Sequence, residues 1–177
     1  IDQRGIDIAR ILTHGEKAAA YMADGYARAS GRPGICMSQI VGGVNLAAGL
    51  RDAWLACTPL IAFSGGSEPG TRYRNAYQEV EDISAFDPVT KFNAYVDSVE
   101  RFPDLLRQAF RAATSGTPGP VHLRFKGNLG QIEQREADLE LIVEEQFSSV
   151  PPYRPEPESE PIARAVKVLE AAKKPVI

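Results

Sequence analysis

"ICMSQIVGGVNLAAGLRDAWLACTPLIAFSGG", residues 35–66, places two apolar runs on either side of a segment with helical spacing. The runs at 35–41 and 60–66 are continuous rather than alternating, which is typical of strands covered on both faces of a sheet. Between them, residues 42–58 repeat apolar side chains at helical intervals, and Pro59 is expected to end that helix. This order predicts a strand–helix–strand unit with parallel strands.

The flanking sequence continues the same pattern in both directions. "SGRPG" at 30–34 separates an upstream helix from the first of the two strands, and a polar, turn-rich stretch follows Gly66. The other predicted elements are strands at 6–13 and 89–96, helices at 16–29 and 99–115, and a turn followed by a strand within 116–125. We therefore expect an α/β fold in which a parallel sheet carries helices on both faces.

The composition along the chain predicts three parts. Residues 1–128 form the α/β domain, and residues 129–160 form a stiff, extended linker rich in proline and acids. Residues 161–177 begin a second α/β domain, with one amphipathic helix followed by the start of a strand. The sequence starts without methionine and stops inside an apolar run, so we expect a fragment of a longer chain.

Charge and composition narrow the function classes. The net charge is −3 and the pI is about 5.5, which does not favour nucleic acid as a partner. No apolar run reaches the roughly 18 residues of a membrane span, so no membrane association is predicted. Cys36 and Cys57 lie in apolar stretches and are predicted to be reduced core residues, which favours a cytoplasmic location. No cluster of histidine, cysteine and acidic residues indicates a metal site.

Glu16 is the residue whose role the sequence leaves open. It stands just ahead of three alanines, Ala18–Ala20, at the start of a predicted helix. An acid in the first turn is favoured by the helix dipole, by roughly 0.3–1 kcal/mol, and that alone could explain it. Alternatively, Gly15 and the small alanines leave space for a flat ligand close to the backbone, which would let Glu16 act in catalysis.

Several segments together resemble the N-terminal, pyrimidine-binding domain of thiamine-diphosphate-dependent enzymes, and are most similar to the acetolactate synthase group. The segments are "HGEKAAAYMADGYARASGRPGICMS" at 14–38, "GGVNLAAGLRDAWLACTPLIAFSGG" at 42–66, "NAYQEVE" at 75–81, "PVTKFNAYV" at 88–96 and "SGTPGPVHLRF" at 115–125. The proline-rich stretch and "ARAVKVLEAAKKPVI" resemble the linker and the opening of that family's central domain.

The resemblance implies a cofactor and a set of site residues. In that family one glutamate bonds N1′ of the aminopyrimidine of thiamine diphosphate and relays the activating proton, and Glu16 occupies its position. Gly42 and Asn45 match the loop beside the pyrimidine. Ile40 and Val41, however, stand where glycine and proline are usual, so we expect this turn to differ, because β-branched residues rarely adopt positive φ.

Three further residues are implied on the substrate side. Tyr77 and Gln78 match an aromatic–glutamine pair that faces the active site of the neighbouring subunit, and Lys91 also matches the family pattern.

The implied function is decarboxylation or carboligation of a 2-keto acid by a homo-oligomer whose active site lies at a subunit interface. Mg²⁺ would be bound with the diphosphate by a C-terminal domain outside this sequence, so the fragment alone is expected to be inactive. The alternative is a relative that kept the fold as a binding or dimerisation module without catalysis.

Overall fold

A computed structural model describes residues 8–67, 70–81, 83–127 and 139–176. Its strands are β1 (Gly34–Ser38), β2 (Leu60–Ser64), β3 (Phe92–Val96) and β4 (Pro120–Phe125). Its α-helices are α1 (Glu16–Ser30), α2 (Gly43–Leu55), α3 (Phe102–Thr114) and α4 (Ser159–Ala171), with short 3₁₀ helices at Ile83–Val89, Val99–Arg101 and Glu145–Ser148.

The four strands form one parallel sheet in the order β1-β2-β4-β3. Side chains of β2 alternate between the two faces. Leu60 and Ala62 pack with residues of α1 and α2, whereas Ile61 and Phe63 pack with residues of α3. All five residues of β2 are buried, as predicted for a central parallel strand. The predicted parallel sheet with helices on both faces is confirmed.

The helices α1 and α2 pack so closely that only small residues fit between them. A Cβ added to Gly49 would lie 2.7 Å from the Cβ of Ala20 and 3.0 Å from the Cα of Lys17. Gly34, the first residue of β1, is equally constrained, since its Cβ would lie 2.2 Å from the carbonyl oxygen of Ala23. The alanine-rich face of α1 is therefore explained by packing against α2 and β1.

The prediction that β1 is covered on both faces is wrong. Its burial alternates, and Ile35 and Met37 are more than half exposed. β1 is an edge strand whose α3-side face has no helix over it among the described residues. The strand predicted at 6–13 is also wrong for residues 8–13, which pair with no strand, and residues 6–7 lie outside the described residues.

The end of α2 differs from its prediction as well. The helix stops at Leu55, four residues before Pro59, and Cys57 follows with a left-handed φ of 55°. The amide of Thr58 then donates to the carbonyl of Ala53 at 2.8 Å, which closes the turn. As a result Cys57 is exposed rather than buried in the core, while Cys36 is buried as expected and both thiols are free.

Part of the segment predicted as an extended linker is docked on the domain. The ring of Phe147 is buried, lies edge-on to Tyr153 and is covered by the guanidinium of Arg111. The Arg111 Nε also donates to Glu144 at 2.6 Å. Residues 129–138 lie outside the described residues, and the division at residue 128 stays a prediction.

The helix predicted after the linker is present as α4. The strand expected at the end of the chain is not formed by residues 172–176, and residue 177 lies outside the described residues. Within the described ranges, no helix combines the length and apolar character that a membrane crossing requires.

Candidate functional site

Glu16 lies at the edge of the sheet that is formed by the carboxyl ends of the parallel strands. The helix α1 runs back along the sheet and is joined to the start of β1 by a short turn, so its first turn reaches the far end of that strand. Gly15 precedes the helix in an extended conformation and has no side chain that could cap it. Glu16 is the acidic residue of the first turn. Clefts at the carboxyl ends of parallel strands are the usual place for ligands in such folds.

The carboxylate of Glu16 is held by the first turn of α2. Asn45 Nδ2 donates to Glu16 Oε2 at 3.3 Å. On its other side, a Cβ added to Gly42 would lie 2.6 Å from Glu16 Oε1 and 2.8 Å from its Cδ. Gly42 has a φ of −74°, so glycine is needed here for space rather than for conformation. The structure therefore brings Glu16, Gly42 and Asn45 together as the sequence predicted.

The turn with Ile40 and Val41 is built without left-handed residues at these positions. Neither residue has a positive φ, and the amide of Gly43 donates to the carbonyl of Ile40 at 3.0 Å. The side chain of Ile40 is buried beside Gly65, where a Cβ would lie 2.9 Å from Ile40 Cγ1. The β-branched residues therefore fit this turn and still deliver Gly42 and Asn45 to Glu16.

Gln78 reaches the same end of the sheet from a different segment. Its Nε2 lies 3.5 Å from Oε1 of Gln39, the residue that follows β1. Its Oε1 is buried and has no hydrogen-bond partner among the described residues. Tyr77 is 85% exposed, and its hydroxyl lies 3.4 Å from Gln78 Nε2. Gln78 thus contacts the loop between β1 and α2, which also carries Gly42, while most of the Tyr77 side chain is exposed.

Lys91 lies at the opposite end of the sheet. It directly precedes β3, and its Nζ donates to the carbonyl oxygens of Ala112 at 2.5 Å and Ser115 at 2.7 Å, at the end of α3. A cation at a helix C-terminus is favourable. Partial burial lowers the pKa of Lys91 below its ordinary value. The structure does not bring Lys91 to Glu16, and its contacts are those of a helix cap.

A buried polar chain crosses the strands below the site, and sequence reasoning missed it. His122 Nε2 lies 2.8 Å from Ser64 Oγ, and its Nδ1 lies 2.8 Å from Asn93 Oδ1. Asn93 Nδ2 donates to Asp87 and to a backbone carbonyl, which fixes Oδ1 as the acceptor for His122. Burial lowers the pKa of His122 to about 3, and its ring stacks on Phe86 at 3.4 Å. His122 is a strand residue, as predicted. The only sign of this hydrogen-bonded chain in the sequence was the presence of polar residues within otherwise apolar strands.

The described residues do not supply a metal site, because no three histidine, cysteine or acidic side chains come together among them. The buried hydroxyl of Ser38, the last residue of β1, also has no hydrogen-bond partner among the described residues. The site therefore consists of one carboxylate with its two neighbours, bordered by Gln78, and it is suited to hydrogen bonding rather than to metal chemistry.

Comparison with known proteins identifies relatives. Residues 2–86 match the family described as "Thiamine pyrophosphate enzyme, N-terminal TPP binding domain". The chain is 36% identical over 174 residues to the "Probable acetolactate synthase large subunit" of Methanocaldococcus jannaschii, covering 97% of this chain and 29% of that protein. It is 33% identical over 175 residues to the acetolactate synthase isozyme 1 large subunit of Escherichia coli, covering 96% of this chain and 29% of that protein.

A solved structure has the same fold. The structure described as "X-ray structure of a putative thiamin diphosphate-dependent enzyme isolated from Mycobacterium smegmatis" superimposes with a TM-score of 0.68 at 26% identity, covering 94% of this chain and 31% of that one. The chain thus spans less than a third of the length of the relatives it matches, at their N-terminal part.

Proposed function

The chain belongs to the thiamine-diphosphate-dependent enzymes as their N-terminal domain, of acetolactate-synthase-like type, and we propose that it is the pyrimidine-binding part of an enzyme that decarboxylates or joins 2-keto acids. The observation that carries this proposal is the Glu16 carboxylate held between Asn45 and Gly42 at the carboxyl end of the sheet. The identity of the 2-keto acid depends on parts of the enzyme beyond this chain.

The residues present fit an aminopyrimidine. One Glu16 oxygen is steadied by the Asn45 amide, and the other lies beside the bare Cα of Gly42, so a flat ring can approach the carboxylate without meeting a side chain there. Such a carboxylate can share a proton with a ring nitrogen, through a hydrogen bond of roughly 1.5–3 kcal/mol. Glu16 would hold this proton at the N1′ position, and Asn45 would keep the carboxylate oriented towards it.

When bound, thiamine diphosphate supplies the nucleophilic carbon and the electron sink for decarboxylation of a 2-keto acid. The chain's own contribution is orientation and one proton. Gln78 would border the substrate from the other side of the loop after β1, where its Nε2 lies 3.5 Å from Gln39 Oε1.

The proposal includes a second subunit and Mg²⁺. Glu16 is only partly buried, Asn45 is exposed, and the adjoining surface of α1 and α2 carries exposed apolar side chains, including Met22 and Val44. Burial of these groups by another subunit would complete the pocket and exclude water. The diphosphate and Mg²⁺ would then be held by residues outside the described part of this chain. We also infer a cytoplasmic location from the two free thiols.

Replacement of Glu16 in the complete enzyme tests the proposal. A Glu16→Gln variant keeps the size of the side chain but cannot accept and return the proton, so kcat should fall by about 10²–10⁴-fold. Glu145→Gln, in the 3₁₀ helix at Glu145–Ser148, is the matched control and should turn over normally. The measurement is the release of CO₂ from pyruvate and related 2-keto acids, in the presence and absence of thiamine diphosphate and Mg²⁺. Retained turnover in Glu16→Gln would contradict the proton-relay role of Glu16, whereas absence of turnover in the wild-type enzyme would favour the alternative of a fold relative without catalysis.

The inactivity of the isolated chain is a separate part of the proposal. Residues 1–177 should bind thiamine diphosphate poorly, because they offer only the pyrimidine side of the site. Calorimetric titration with and without Mg²⁺ checks this, and tight Mg²⁺-dependent binding would contradict it.

A further inference from the structure

The segment of residues 72–81, here called the presenting segment, carries Tyr77 and Gln78 in a conformation that the backbone alone disfavours. Tyr73, Asn75 and Gln78 all adopt left-handed φ values, of 64°, 53° and 60°. The left-handed region is disfavoured for residues such as tyrosine and glutamine, because Cβ then lies too close to the following carbonyl oxygen, whereas asparagine tolerates it better. Backbone strain of this kind persists only where surrounding contacts enforce it, and it is concentrated at functional sites.

The carboxylate of Glu79 supplies the central contact. Its Oε2 accepts a hydrogen bond from the amide of Ala76 at 2.8 Å, and its Oε1 accepts one from the amide of Tyr73. These bonds lower the pKa of Glu79 below its ordinary value, and the bond with Ala76 contributes most. Backbone amides that converge in this way form an anion-binding nest, and here an internal carboxylate fills it.

The far end of the presenting segment is fixed separately. Arg124, fully buried on β4, donates through Nη2 to the carbonyl of Val80 at 2.5 Å. Arg72 Nε lies 3.1 Å from Glu81 Oε1, and the guanidinium groups of Arg72 and Arg124 each lie 5.8 Å from the centre of the Tyr95 ring. The segment is therefore held from beneath by the sheet and from within by Glu79.

We infer that Glu79 is a positioning residue that sets the backbone of the presenting segment so that Gln78 meets the loop after β1 at the active site. This inference rests on the proposed function, since it assigns Glu79 to the same site. Gln78 directly precedes Glu79, and its Nε2 lies 3.5 Å from Gln39 Oε1. Loss of the two amide contacts would release Tyr73 and Asn75 from their left-handed conformations and shift Gln78 with them.

The effect of Glu79 is confined to the segment. Its side chain belongs to neither of the two hydrophobic clusters, and both amides that it binds lie between Tyr73 and Ala76. A Glu79→Gln variant keeps the length of the side chain but loses the charge and one acceptor oxygen. It should therefore loosen the segment without unfolding the domain.

The experiment compares Glu79→Gln with the control Glu145→Gln in the complete enzyme, by two measurements. Hydrogen–deuterium exchange followed by mass spectrometry should show faster exchange in peptides covering residues 72–77 and no change in those covering β2 and β4. Steady-state kinetics with pyruvate as the probe should show KM for pyruvate raised about tenfold, corresponding to roughly 1.4 kcal/mol. The concentration of thiamine diphosphate that gives half activity should stay within about twofold, because Gln78 lies on the substrate side.

Two results would overturn the inference. Unchanged exchange in residues 72–77 would show that Glu79 does not hold the segment. Faster exchange across the whole domain, with a lower melting temperature and equal loss in all kinetic constants, would show a general structural role. If the wild-type enzyme turned over no 2-keto acid, the proposed function would fail, and exchange in residues 72–77 would still decide whether Glu79 orders the segment.

Discussion

Gly42 and Gly49 lie in two regions of the same helix pair, and both are places where no side chain fits. An added Cβ would come within 2.6 Å of Glu16 Oε1 at Gly42, and within 2.7 Å of the Ala20 Cβ at Gly49. The neighbours differ, however. Gly49 faces a packed alanine and the backbone of Lys17, whereas Gly42 faces the mobile end of one carboxylate. Two glycines with similar clearances therefore serve different purposes, one in packing and the other in placing the carboxylate.

Of the two glycine variants, Gly42→Ala is expected to have the larger effect on catalysis. The φ of −74° suits alanine, so the backbone should keep its conformation and the melting temperature should change little. The new methyl group would displace the Glu16 carboxylate, and a misplacement of about 1 Å can cost 10²-fold in rate. We expect kcat/KM of the complete enzyme for its 2-keto acid to fall by about that factor. A variant with full activity would contradict the assigned role of this glycine.

Gly49→Ala is expected to lower the stability of the protein and to leave catalysis unchanged, which is the reverse of the effect of Gly42→Ala. Here the methyl group meets atoms that cannot move independently, and overpacking of this kind costs about 1–3 kcal/mol. Calorimetry should show a lower melting temperature for the complete enzyme, while kcat per folded active site stays unchanged. Loss of activity without loss of stability would show that the two regions are not separable.

Acid pH should weaken the buried interior through His122. Burial keeps this histidine neutral in the fold with a pKa of about 3, whereas in the unfolded chain it titrates near 6.5. The stability that it contributes is fully present above pH 6.5 and is lost as the pH falls, because the unfolded state then binds the extra proton. At pH 5.5 the loss is about 1.4 kcal/mol.

Thermal unfolding at pH 7.5 and 5.5, for the wild type and for His122→Gln, checks this prediction. The variant should be less stable at both values, but the part of the pH dependence due to His122 should disappear. Identical pH dependence in the two proteins would mean that His122 is not the titrating group.

The smallest effect is expected from Asn45→Ala. The hydrogen bond from Nδ2 to Glu16 is 3.3 Å long and the asparagine is exposed, so its loss should cost about 1 kcal/mol, or about fivefold in kcat/KM. Arg51→Ala, at an exposed position later in α2, is the control for a general change in this helix. If the two variants behave alike, Asn45 does not orient Glu16.

The fold was predictable because its signals are local. Continuous apolar runs marked β2, helical spacing marked α1, α2 and α3, and glycine and proline separated them. The errors occurred where partners decide the outcome. Ile35 and Met37 are exposed because β1 is at the edge of the sheet, and the amino-acid sequence of the strand does not reveal that position. Phe147 was placed in an extended linker because its burial depends on Arg111, 36 positions earlier.

The site was predictable only in part. Glu16, Gly42 and Asn45 were identified by resemblance, and their proximity depends on α1 and α2 lying side by side. Lys91 was predicted on the substrate side with Tyr77 and Gln78, although the topology places it at the other end of the sheet from Glu16. The chain of Ser64, His122 and Asn93 joins three strands that are distant in sequence, so no spacing rule could have connected it. Glu79 was passed over because its partners are backbone amides, which no sequence pattern displays.

The most direct test of the central claim is the rate at which bound thiamine diphosphate exchanges its C2 proton for deuterium in the complete enzyme, measured by quenching and proton NMR. If Glu16 relays the proton, exchange in the Glu16→Gln variant should be slower than in the wild type by about 10²–10⁴-fold while the cofactor remains bound. Equal exchange rates in the two proteins, at equal cofactor occupancy, would contradict the account.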